Sequence, residues 1–198
     1  MPTLPTAVTV VEVGPRDGLQ NEAAQIGTDD KVAFIDRLSA SGLRDIEVSA
    51  FVSPRWIPQL SDAEAVFAAI TRRDGTRYSA LVPNMTGLQR AIAAGVTDVA
   101  IFAAASETFS QRNTNRSVDA SLTIYGEVTA AALAAGLRVR GYLSTAFGCP
   151  FEGAVSPERV VTLAKRMLDL GVYEVAVSDT IGVAHPGQVR TLLAVLLA

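Results

Sequence analysis

An α/β fold of stacked βα units, a (β/α)8 (TIM) barrel of which about six units are present, is what the 198-residue sequence predicts, on three grounds. A helix–Gly–strand pattern recurs: Ser41-Gly42-Leu43-Arg44-Asp45-Ile46-Glu47-Val48 is echoed by Ala94-Gly95-Val96-Thr97-Asp98-Val99-Ala100-Ile101 and by Leu170-Gly171-Val172-Tyr173-Glu174-Val175-Ala176-Val177. Ala135-Gly136-Leu137-Arg138-Val139-Arg140-Gly141-Tyr142 is a looser copy. Glycine supplies the left-handed backbone that helix ends commonly need, and such recurrence points to repeated βα units. Polar residues also follow every candidate strand: Arg16 and Asp17, Ser49, Asn84, Ser106 and Glu107, Ser144 and Thr145, and Asp179. Contributions from several strand ends are the barrel arrangement. Finally, the glycine-rich dinucleotide fingerprint and the phosphate-binding P-loop are both absent, which disfavours the open doubly wound alternative.

The first strand is expected over residues 8–13, a run rich in β-branched side chains. Gly14-Pro15 stops it, because proline has no N–H for a ladder. A dense polar turn follows, with Arg16, Asp17, Gly18, Gln20, Asn21 and Glu22. The first helix is expected over 29–41, with Val32, Ile35 and Leu38 on one face. The second strand covers 45–49, and a loop over 50–60 carries Ser53-Pro54-Arg55-Trp56-Ile57-Pro58. A helix opens at Ser61, with Glu64 three residues on as a capping box. The third strand covers 78–82, followed by a helix over 86–94 and a fourth strand over 98–102. A long polar loop is expected over 103–115, then a helix over 118–135 and a fifth strand over 138–144. Ser156 as cap and Pro157 as first residue open the next helix, which ends at Gly171. The sixth strand covers 174–178, and a last helix runs over 186–197. No linker is visible, so residues 1–198 are expected as a single barrel domain, truncated before strands 7 and 8.

Composition narrows the function. A net charge of −3 is too small to imply nucleic acid or an anionic membrane as partner. The N-terminus lacks a basic region followed by an apolar run, and no stretch approaches the length of a membrane span. Cys149 is the only cysteine, so no internal disulfide can form and a reducing, cytoplasmic setting is expected.

Several residues invite chemistry, each with a plainer alternative. Arg16 and Asp17 place a fixed cation beside a carboxylate directly after a buried strand, where parallel α/β proteins put their chemistry; the alternative is a salt-bridged surface turn. Glu47 lies within a strand between Ile46 and Val48, and a buried charge is costly unless paired. Its partner is expected to be Arg140 or Arg16, as a structural ion pair or as a group that orients Arg16. Asp179, just past the sixth strand, caps the next turn or belongs to the site. Gln20 contacts a substrate or caps the next helix. His185 reads as a surface residue, and Trp56 as packing or as the lining of a substrate mouth.

Val11-Glu12-Val13-Gly14-Pro15-Arg16-Asp17-Gly18-Leu19-Gln20-Asn21-Glu22 resembles the signature of the hydroxymethylglutaryl-CoA lyase family, metal-dependent lyases on a (β/α)8 barrel. The resemblance continues through Ile46-Glu47 with Ser49-Ala50-Phe51-Val52-Ser53-Pro54-Arg55-Trp56-Ile57-Pro58-Gln59. It extends through Gly141-Tyr142-Leu143-Ser144 with Gly148-Cys149-Pro150-Phe151-Glu152-Gly153, and through Ser178-Asp179-Thr180-Ile181-Gly182. It implies cleavage of 3-hydroxy-3-methylglutaryl-CoA to acetyl-CoA and acetoacetate with a divalent cation, Mg²⁺ or Mn²⁺. It implies Arg16, Asp17, Glu47 and Asp179 as the catalytic set, with Asp17 a metal ligand and Arg16 at the developing enolate oxygen. Gln20, Asn113, Ser117, Tyr142 and Thr180 would contact the acyl-CoA, with Arg16; for Asn113, Asn115 and Ser117 a polar surface loop is the alternative. The family's His-x-His and Asn ligands, and its catalytic cysteine on a later glycine-rich loop, have no counterpart here, so Cys149 is not assigned that role. The chain alone is therefore expected to be inactive, and a homodimer is possible. A related aldolase or acyl-CoA condensing enzyme, and a catalytically dead acyl-CoA-binding partner, are the competing functions.

Overall fold

The computed structural model describes residues 6–197. Six strands hydrogen-bond in sequence order, β1-β2-β3-β4-β5-β6, in one sheet. They are β1 (Val11–Glu12), β2 (Asp45–Ala50), β3 (Arg77–Leu81), β4 (Asp98–Ala104), β5 (Arg138–Ser144) and β6 (Glu174–Val177). Between and after them lie α1 (Thr28–Ala40), α2 (Ala63–Ala69), α3 (Met85–Ala93), α4 (Glu107–Thr114), α5 (Val118–Ala134), α6 (Pro157–Asp169) and α7 (Pro186–Leu196). Neighbours that follow in sequence and pair in parallel, each across a helix, are what the repeated unit foretold. Its four glycines, Gly42, Gly95, Gly136 and Gly171, all adopt positive φ, between 70° and 100°.

The chain gathers into two compact units. The first runs through Val82 and resumes over Thr86–Val99. All six residues of β2 are buried there, and Ile35 of α1, Ile46 and Ala80 are fully covered. Its polar interior is paired: Lys31, 4% exposed, donates to Asp62 at 2.6 Å and to the Gln59 carbonyl. Two reciprocal amide struts join the segments after β1 and β2: Gln25 donates to the Pro58 carbonyl and Gln59 to the Glu22 carbonyl. The second unit comprises Pro83–Met85 and everything from Ala100 on. Here α6 buries Val160, Leu163, Ala164 and Met167, and β5 alternates, with Val139, Gly141 and Leu143 buried. A Cβ on Gly141 would come within 2.7 Å of Met167 Cε, so a larger residue there would have to displace the end of the Met167 side chain.

Three local expectations are corrected. The first strand is two residues long rather than 8–13, and Val8 and Val10 are 80% and 58% exposed. The ladder with β2 matches only Val11 to Asp45 and Glu12 to Ile46, so β-branched propensity upstream finds no paired backbone. The helix after the second strand starts at Ala63, not Ser61. Ser61 instead closes a short 3₁₀ turn by donating its N–H to the Pro58 carbonyl, and Glu64 turns away from the helix start to take two bonds from Arg90. The polar stretch 103–115 contains α4, a helix without an apolar stripe, whose start is held by tertiary contacts described below.

The Arg90 fork holds the Glu64 carboxyl below its ordinary value of 4.5. A group whose folded value is depressed contributes stability that is full above its unfolded value and lost as pH falls through the folded one. The urea midpoint should therefore be flat near neutrality and decline in acid below about 4.5, and Glu64→Gln should shrink that decline. An equal decline in the variant would exclude this pair as a source.

Candidate active site

In the first unit the site is built on the turn after β1. Gly14–Gly18 forms a single π-helical turn, with the Gly18 N–H reaching back five residues to the Val13 carbonyl at 3.4 Å, which also accepts the Asp17 N–H at 2.7 Å. Such turns are rare and frequent at functional sites. Glu12 anchors its start by accepting the Gly14 N–H at 2.6 Å. This turn presents Arg16 and Asp17 side by side: Arg16 Nη1 donates to Asp17 Oδ1 at 2.7 Å. Arg16 Nε donates to Glu47 Oε1, on β2. The guanidinium thus bridges two carboxylates, with side-chain exposure falling from 53% at Asp17 through 11% at Arg16 to 1% at Glu47. Of the two partners open to Glu47, the structure selects Arg16; Arg140 pairs with Glu174 instead, at 2.7–2.8 Å. A buried carboxylate with a planar fork against it fixes the arginine's orientation, as a lysine could not. Gln20 is half-buried one turn further on, and Asn21 donates to the Asp17 carbonyl. Trp56 is 74% exposed, so it is not packed among the described residues.

In the second unit, β5 and β6 end together. Asp179 uses both carboxylate oxygens to cap the following turn, accepting from Val183 N at 3.1 Å and Ala184 N at 2.9 Å. Of the alternatives for Asp179, the cap is the one observed, and capping fixes its carboxylate. Thr180 is exposed, and its hydroxyl oxygen accepts the Thr145 N–H at 2.7 Å, which leaves the O–H as a donor. Thr145 was seen in the sequence only as a polar residue after a strand. It sits at φ 58°, fully buried, a conformation uncommon for a β-branched residue. No sequence signal marks it. Tyr142 is half-buried under Arg140, whose guanidinium lies 4.9 Å from the ring centre.

Asn113 is exposed near the end of α4. Asn115 closes that helix in the left-handed region at φ 56°. Ser117 caps α5, accepting from Ala120 N. An open hollow of about 380 Å³ is lined by Glu107, Thr108, Gln111, Arg112 and Ser117. Cys149 is buried, 3% exposed, and accepts from the Ser106 hydroxyl at 3.0 Å. His185 is exposed and caps α7 through Nδ1, as a surface residue should.

A hard divalent ion takes about six oxygen ligands. Among the described residues no three His, Cys, Asp or Glu side chains gather closely enough to hold one. Asp17, half exposed, can offer a single carboxylate. The described residues alone therefore do not fit such an ion.

Comparison with known proteins bears on what this array serves. The HMGL-like family profile matches residues 7–198. The chain is 48% identical over 190 residues to the cytoplasmic 3-hydroxy-3-methylglutaryl-CoA lyase of Rattus norvegicus, covering 96% of this chain and 55% of that protein. It is 50% identical to the 3-hydroxy-3-isohexenylglutaryl-CoA/hydroxy-methylglutaryl-CoA lyase of Pseudomonas aeruginosa, covering 96% and 63%. The crystal structure of hydroxymethylglutaryl-CoA lyase from Pseudomonas aeruginosa superposes with a TM-score of 0.95 at 49% identity, covering 98% of this chain and 64% of that one. An HMG-CoA lyase from Acinetobacter baumannii, in complex with coenzyme A and 3-methylmalate, matches with a TM-score of 0.91 at 38% identity, covering 96% and 62%. The chain thus spans a little over half of the length of these relatives, and its six βα units are the corresponding part of their barrel fold. With a profile match over nearly every residue and close to half of its positions shared with these enzymes, the chain belongs to the HMGL-like family.

Proposed function

We propose that this chain carries the Arg16–Asp17 half-site of a carbon–carbon lyase that cleaves 3-hydroxy-3-methylglutaryl-CoA to acetyl-CoA and acetoacetate. The observation that carries the proposal is the Glu47–Arg16–Asp17 array, a cation clamped between a buried and an exposed carboxylate at the end of β1. The reaction needs such a group. Removing the tertiary hydroxyl proton lets the C–C bond break, giving the ketone of acetoacetate and leaving the electron pair on a thioester enolate. Negative charge then develops on oxygen, and protonation at carbon yields acetyl-CoA. A cation already held in place stabilises that oxygen without reorganising, and one such donor is typically worth about 3–4 kcal/mol of barrier.

Glu47 serves this role by holding the guanidinium of Arg16. The family resemblance adds Asp179, whose carboxylate is fixed by two N–H groups, to the catalytic set. Thr180, with its spare O–H, and Gln20, Asn113, Ser117 and Tyr142 would contact the acyl-CoA. A divalent cation, Mg²⁺ or Mn²⁺, would supply further charge stabilisation when bound, with Asp17 as one ligand, although the described residues alone do not complete its shell. No described helix is long and apolar enough to cross a membrane. We infer cytoplasmic residence from the single cysteine of the sequence.

The test is a fusion of this chain to the part of the Pseudomonas aeruginosa lyase that follows the matched region, assayed with 3-hydroxy-3-methylglutaryl-CoA and Mg²⁺. The fusion should release acetoacetate, its Arg16→Gln form should not, and residues 1–198 alone should stay at the blank. A folded fusion without acetoacetate would overturn the proposal.

A further inference from the structure

A short hairpin packs onto α4 and organises it. Cys149 and Gly153 exchange backbone bonds of 2.8 and 2.9 Å, closing the loop that carries Phe151 and Glu152. Glu152 Oε1 accepts the Thr108 N–H, in the first turn of α4, at 2.5 Å. This bond holds the Glu152 carboxyl below its ordinary value. Phe151 lies 6.3 Å from the Phe109 ring and 4.2 Å beneath the Arg112 guanidinium. At the base of the hairpin, the Ser106 hydroxyl donates to Cys149 Sγ. Ser106 occupies the N-cap position of α4 and makes no side-chain cap bond there. Its hydroxyl has gone to the hairpin, and Glu152 supplies the acceptor from outside. Orphan N–H groups at a helix start favour a carboxylate, so the substitution is chemically sound. The need is real, because α4 is eight residues long, polar except for Phe109, and has no apolar stripe to hold it down.

We propose that Glu152 is a positioning residue, and the hairpin a clamp, that sets α4 and with it Asn113 and Ser117 for an acyl-CoA. The clamp rests on the proposed function for its ligand but not for its mechanics. Arg112 is the hinge of the arrangement: it lines the hollow beside Ser117 while its guanidinium lies on Phe151. A shift of the hairpin therefore moves a wall of that hollow.

The experiment compares the unsubstituted chain with Glu152→Gln and Glu152→Ala by amide hydrogen exchange, by affinity for coenzyme A and by thermal midpoint. Glutamine keeps an acceptor oxygen without the charge, and alanine removes both. Exchange over 107–114 should accelerate in the order Glu, Gln, Ala, while β5 and α6 stay unchanged. Coenzyme A affinity should fall in the same order, on the order of tenfold for alanine. The thermal midpoint should move by no more than about 2 °C, since Glu152 is exposed. Unchanged exchange over 107–114 would overturn the clamp. Faster exchange with unchanged affinity, or an affinity loss that simply tracks a falling midpoint, would overturn the positioning role. If the unsubstituted chain does not bind coenzyme A, the acyl-CoA assignment fails, and the exchange comparison still decides the clamp.

Discussion

Arg16→Met should destabilise the chain by about 3–5 kcal/mol, because it takes a paired cation away from the Glu47 carboxylate, 1% exposed. Glu47→Leu should cost less. Arg16 is 11% exposed and retains Asp17 at 2.7 Å, so its charge keeps a neighbour when Glu47 is gone. The double variant should be more stable than the sum of the single losses predicts, since replacing a buried ion pair by apolar groups is often nearly neutral, whereas breaking it is not. Urea unfolding of the four proteins at pH 7 measures the coupling. Additive losses would mean that the pair is not a unit. The single variant separates the two roles given to Glu47: a Glu47→Leu fusion that folds well but makes no acetoacetate would show that Glu47 is kept for chemistry.

Phe51→Ala should cost about 3–5 kcal/mol, the range for emptying a large aromatic from a packed interior. Phe51 is 1% exposed directly after β2, its ring centre 5.7 Å from that of Phe67, with the Arg90 guanidinium 5.5 Å above it. Its N–H donates to the Leu81 carbonyl at 2.9 Å, so its backbone continues the β2–β3 ladder. The loss should exceed that of Trp56→Ala, which should lie within about 0.5 kcal/mol of zero, as Trp56 is 74% exposed. Two aromatic residues five positions apart in one motif thus have opposite expectations. Equal losses in urea titrations would contradict the burial on which they rest.

The βα order was legible because glycine at helix ends and alternating strands leave marks in a sequence, and four such glycines took the expected left-handed backbone. The strand after Gly136 and the Ser156-Pro157 helix start were placed to the residue. Three features were not legible, for one common reason: each depends on a partner far along the chain. Residues 8–10 have strand propensity but no paired neighbour. Glu64 fits a capping box until Arg90, 26 residues on, takes its carboxylate. The α4 segment is too polar to announce a helix and is held by Glu152, 44 residues away. In the candidate site, Arg16, Asp17 and Glu47 stood out as charges in or beside a strand, and their ion pair was among the options foreseen. Thr145 was only one polar residue among several, because a left-handed threonine looks like any other threonine in a sequence.

The two glutamine struts of the first unit have an asymmetric consequence for sequence drift. Each strut takes its donor from a side-chain amide and its acceptor from a main-chain carbonyl, at Pro58 and Glu22. Every amino acid offers a carbonyl, so the acceptor positions impose no side-chain identity through these bonds. The donor positions do, since only a side chain of that reach and polarity can span the gap. Exchanging Glu22 should therefore be silent for this link, while exchanging Gln59 severs it, and tolerance to change in these two loops is set by which end of each bond a residue happens to hold.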